Sequence, residues 1–121
     1  MTIHQGLLAN LVDDIGMFRL ELVLHHLNIS GEKLASLLAL DGCNDIETFI
    51  NTEPHKTIMK QSVALIDKVD EWCSSKANAI DWFISEPIPA LGNVTPRNAV
   101  LSGNYKALNE YIDAIALGGY A

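Results

Sequence analysis

WFISEPIPALGNVTPRNAVLSGNYKALNEYIDAIALGGYA, residues 82–121, is the stretch whose reading decides the fold. Pro87 and Pro89 flank Ile88. Each lacks an N–H and pushes the residue before it out of the helical region, so the chain must pass here in an extended form. Thr95 followed by Pro96 reads as a helix start, with the threonine oxygen free to accept an orphan N–H and the proline ring pre-set for the first helical position. That helix should stop at Gly103. Asn104 is placed to cap the next one, in which Tyr105, Leu108, Tyr111, Ile112 and Ile115 recur at steps of three and four and so share a face. Gly118 and Gly119 should end it. Two readings of the remaining Tyr120 and Ala121 stay open: an aromatic on a two-glycine hinge held by a partner, or a helix stop in which Tyr120 folds back on its own helix.

Over about 40 residues this stretch resembles the toxin-binding domain of the Xre/MbcA/ParS-like antitoxin family. The resemblance rests on Trp82, Pro87, Leu91-Gly92, Thr95-Pro96, Val100-Leu101 before Gly103, then Leu108, Ile112, Ile115, Gly118 and Tyr120. It implies a cognate toxin as partner, typically a RES-domain enzyme that degrades NAD, whose active site is plugged by the antitoxin's C-terminal end. On that resemblance Asn104, Tyr105, Gly118, Gly119, Tyr120 and Ala121 are the candidate toxin-binding residues, and Trp82, Pro87, Leu91, Gly92, Pro96, Gly103, Leu108, Ile112 and Ile115 are structural.

Working outward, the chain reads as helix nearly throughout. Leu7, Leu8, Leu11, Val12 and Ile15 line one stripe, and Phe18 to Leu27 make a second, more apolar helix that reads as buried. Ser30 is placed to cap a helix carrying Leu34, Leu37 and Leu38; Asp41-Gly42 is a turn signal; Asn44 with Glu47 suggests a capping box for a short helix through Ile50. Pro54 suits the first turn of the longest helix, about five turns, with Ile58, Val63, Leu65, Ile66, Val69, Trp72 and Cys73 on its apolar face and Lys60, Asp67, Lys68, Asp70 and Glu71 on its wetted side. Ser75 should cap a helix that delivers Trp82, read as a core indole. The fold class expected is all-α, a small multi-helix domain: residues 1–54 with a degenerate helix-turn-helix, 55–75 a connecting helix, and 76–121 the toxin-binding part.

The span from His25 to Glu53 has a helix-turn-helix outline, and the family resemblance implies an Xre-type DNA-binding region here, with Lys33 to Leu38 in the place of the first helix and Asn44 to Asn51 in the place of the recognition helix. Its chemistry opposes DNA. A helix entering the major groove needs Arg, Lys, Asn or Gln, and here Asp45 and Glu47 stand on it, leaving Asn44 and Asn51 as candidate base contacts. From Met1 to His55 two cations, Arg19 and Lys33, face eight anions, which is six of the chain's seven excess negative charges. A field of that sign opposes binding to phosphates, so unaided DNA binding should be weak.

With 49% hydrophobic and 19% charged residues, the chain of 121 is globular rather than disordered. It lacks an apolar run of the roughly 18 residues a membrane span needs, and Met1 to Asn10 does not read as a signal peptide, so a cytoplasmic location is expected. Cys43 and Cys73 read as free thiols, and adjacent His25 and His26 point about 100° apart on a helix and do not chelate. No Ser, Cys or His lies in a catalytic motif and no glycine spacing makes a phosphate loop, so the expectation is a non-enzyme without metal or cofactor. Partners expected are the toxin and, through the N-terminal helices, a second copy. The alternatives are an operator-binding regulator and an orphan helical module.

Overall fold

The computed structural model describes residues 17–40, 44–73 and 75–116. The stripe expected over Leu7–Ile15, the Asp41-Gly42 turn, Cys43 and the segment Gly118–Ala121 lie outside the described residues. Within them are seven α-helices and no strand, so the protein is all-α.

The helices are α1 (Leu20–Leu27), α2 (Gly31–Leu37), α3 (Ile46–Ile50), α4 (His55–Asp70), α5 (Lys76–Ser85), α6 (Pro96–Leu101) and α7 (Tyr105–Ala116). Their starts follow local chemistry. The hydroxyls of Ser30, Ser75 and Thr95 accept the N–H of Lys33, Asn78 and Asn98 at 3.1, 3.2 and 3.2 Å, each satisfying an orphan donor of the first turn. Pro96 occupies the first turn of α6. In α3 the cap is Asp45, which accepts from Thr48 N at 3.3 Å and Thr48 Oγ1 at 2.6 Å. The box expected from Asn44 and Glu47 is therefore corrected, because Glu47 turns away to accept Leu20 N at 2.7 Å. α4 begins one residue after Pro54, and the Glu53 carboxylate covers its first turn through Thr57 N and Oγ1.

Helix α4 is the hub, packing against α3, α5, α6 and α7, while α5 packs on α6 and α6 on α7. Met59, Val63, Leu65, Ile66 and Val69 are its buried apolar residues. It stops at Asp70, short of the expected Cys73, and the turn that follows leaves Trp72 43% exposed rather than on the core face. α1 starts at Leu20 rather than at Phe18 and is less buried than its composition suggests: Val23 and Leu27 are inside, but Leu22 is 39% exposed. A single buried cluster runs from Phe18 to Ile112, so the segments on either side of α4 share one core.

Between α5 and α6 the chain is extended as the prolines require. Ile88 has φ −105° and ψ 108°, is buried, and forms a lone antiparallel bridge to Val94, its N–H donating to Val94 O at 2.9 Å. A 3-10 turn over Pro89–Leu91 and Gly92 at φ +80° close the loop. Gly103 takes φ +87° after α6, while Asn104 N–H reaches back to Ala99 O at 2.7 Å, so the helix end is closed by backbone bonds.

Candidate interaction site

The C-terminal unit is built on α4. Leu108 and Ile112 of α7 are fully buried, Tyr105 and Tyr111 pack partly against the core, and Lys68 Nζ of α4 donates to Asn109 Oδ1 at 2.6 Å and to Asp113 Oδ1 at 2.8 Å. Apolar packing and one cation held by two acceptors therefore fix this helix. Of the candidate toxin-binding residues, Asn104 is exposed at the start of α7 and its carbonyl accepts Leu108 N, and Tyr105 follows it half-buried. The described helix ends at Ala116, about 16 Å along its axis from Tyr105. Asn104 and Tyr105 thus stand at the opposite end of α7 from the point where the chain leaves toward Gly118–Ala121.

The structural candidates divide by burial. Pro96, Leu108 and Ile112 are inside; Trp82, Leu91 and Ile115 are intermediate; Pro87, Gly92 and Gly103 are exposed. The expectation of a buried indole at Trp82 is corrected: the fully buried aromatic of α5 is the next residue, Phe83, because Ala79, Ile80 and Phe83 form the face turned to the core.

In the helix-turn-helix region the two candidate base contacts separate. Asn44 is exposed beside the start of α3. Asn51 is spent inside the chain: its Oδ1 accepts Phe18 N at 2.6 Å, and its Nδ2 donates to Phe18 O at 3.0 Å and to Glu47 O at 2.8 Å. That geometry corrects Asn51 as a base reader. Met17, Phe18, Arg19, Glu47, Thr48 and Asn51 line a cleft of about 440 Å³ beside it. Both cations of the region face carboxylates, Arg19 with Glu21 at 2.6 Å and Lys33 with Asp81 at 3.7 Å.

Sequence reasoning missed one polar cluster. Asp67, expected on the wetted side of α4, is 6% exposed and meets His26 of α1 and Lys76 of α5. The signal was its spacing, four residues after Val63 and eight after Met59, on the apolar stripe itself. Elsewhere, Arg97 Nη1 of α6 donates to Ser36 O at 2.8 Å, a cation against the C-terminal end of α2. The half-buried thiol of Cys73 is pushed up from its ordinary value by burial and by the charge of Asp70. Among the described residues no three His, Cys, Asp or Glu side chains cluster as metal ligands, and no helix is long and apolar enough to cross a membrane. No family model matches the chain, and neither does any curated protein or solved structure.

Proposed function

We propose that this protein is a cytoplasmic antitoxin that binds a RES-type, NAD-degrading toxin and blocks its active site with the segment following α7, Gly118–Ala121. The observation that supports this reading most is the anchoring of α7. Buried Leu108 and Ile112 and the Lys68 bridge to Asn109 and Asp113 fix the helix on α4, so a segment attached to its end is presented from a rigid base. Fixing the helix that carries the segment before encounter removes that helix's own ordering from the entropy lost on binding. Tyr120 would supply a rigid aromatic anchor with one hydroxyl for a partly polar pocket.

The regulator alternative draws less support, because Asn51 is bonded within the chain and Arg19 and Lys33 face carboxylates. Co-expression with the toxin tests the proposal. Deleting Gly119–Ala121 or replacing Tyr120 by Asp should abolish protection of the cells while the melting curve of the variant stays that of the parent. Full protection by the truncated chain would refute the plug, and a lowered melting temperature would favour the helix-stop reading of Tyr120.

A further inference from the structure

Helix α3 carries a protruding ring on one flank and a hollow on the other. At about 100° per residue, Glu47 and Asn51 turn to one side, Phe49 to the opposite side, Ile50 to the core and Thr48 outward between them. Phe49 is 43% exposed. Its ring meets the His55 ring edge-on, with centroids 5.5 Å apart, a contact that sets the direction of the phenyl without covering it.

On the other flank lies the cleft of about 440 Å³, with Glu47, Thr48 and Asn51 as one wall and Met17, Phe18 and Arg19 as the other. The hollow is already formed, because the Asn51 amide pins both backbone groups of Phe18. Its volume falls within the range of sites that take a small molecule, so a phenyl ring fits. Met17 is 40% exposed there, and its thioether and the Arg19 guanidinium are both groups that attract an aromatic ring.

A knob and a hollow on one element complement each other only through an operation that carries each onto the other. A two-fold axis running along α3 does this: it sets the ring of each copy over the hollow of the other and closes the assembly at two. We propose that this face docks a second copy of the chain, with Phe49 of each protomer seated between Met17 and Asn51 of the other. The dimer does not rest on the antitoxin reading. It places α3, the helix in the recognition position, between two protomers instead of in a DNA groove.

Sedimentation equilibrium of the full chain measures the association, and melting curves establish that each variant folds. Phe49→Ser removes the knob and Met17→Arg blocks the hollow. Each should raise the dimer dissociation constant about tenfold or more, whereas Trp72→Ser, which removes another exposed aromatic, should leave it at the parent value. Mixing decides the geometry. A Phe49→Ser chain keeps an open hollow and a Met17→Arg chain keeps its ring, so the two together should form a mixed dimer with one intact contact, tighter than either variant with itself. Should Met17→Arg fail to fold, Thr48→Arg blocks the same hollow from α3. A parent that stays monomeric up to about 100 μM, a dimer indifferent to Phe49→Ser, an open series of larger assemblies, or a mixture no tighter than its components overturns the proposal.

Discussion

Asn51 holds Phe18 by both backbone groups, accepting its N–H at 2.6 Å and donating to its carbonyl at 3.0 Å. A side-chain amide here does what a neighbouring strand would do, tying a residue two positions before α1 to the end of α3. Asn51→Ala should lower stability by about 1–3 kcal/mol, since it leaves a partly buried donor and acceptor unpaired. Denaturant unfolding measures it. A variant as stable as the parent would show that Phe18 is held by its side chain alone.

The two neighbouring aromatics of α5 give a second contrast. Phe83 is fully buried and Trp82 only half so. Phe83→Ala should cost about 3–5 kcal/mol, the range for a large buried ring. Trp82→Ala should cost clearly less. The order of the two melting temperatures decides the matter, and a reversed order would return the core role to the indole.

Glu53 links the fold to acid. Its carboxyl is held below the ordinary value of 4.5, first by the hydroxyl of Thr57 and then by the Thr57 N–H. A depressed folded-state value means that the ionised form is the one stabilised. That stability is present above the unfolded value and is lost as pH falls through the folded one. The parent should therefore lose part of its stability on the acid side of 4.5, and Glu53→Gln should show a shallower acid slope. Because the group lies at the surface, added salt should leave the hydrogen bonds but weaken the help from Lys60 and Lys56.

DNA binding by the protein alone should be weak. With Arg19 and Lys33 facing carboxylates and Asn51 bonded within the chain, α3 exposes Glu47, Thr48 and Phe49. A mobility-shift titration at physiological salt should show no sequence-specific complex near about 10⁻⁸ M. Tight specific binding without a partner would reverse this reading.

The sequence was most legible where one residue does its work on its immediate neighbours. Ser30, Ser75, Thr95-Pro96 and the prolines around Ile88 could be read directly, because capping and ring sterics act within a few residues. Asp45 in place of Asn44 is a one-position slip between two residues with the same capping chemistry. What was not legible depended on elements distant in the chain. Asp67 reads as a surface charge until His26, 41 residues earlier, is brought beside it. Asn51 reads as a free amide until Phe18, 33 residues earlier, takes both its ends. Trp72 and Trp82 read as core side chains, whereas the end of α4 at Asp70 exposes the first and the face of α5 turned to the core leaves the second half out.

The reach of Arg97 to Ser36 O has a consequence for dissecting the molecule. Residues 76–121, the span expected to form the toxin-binding part, are not a removable cassette. Cut free, they would expose Ile80, Phe83, Ala99, Leu108 and Ile112 to water and strip Arg97 of its acceptor. A fragment this short buries a small fraction of its surface and is marginal at best. The excised piece should be collapsed or aggregated, and a shorter version of this protein that still folds must retain α4.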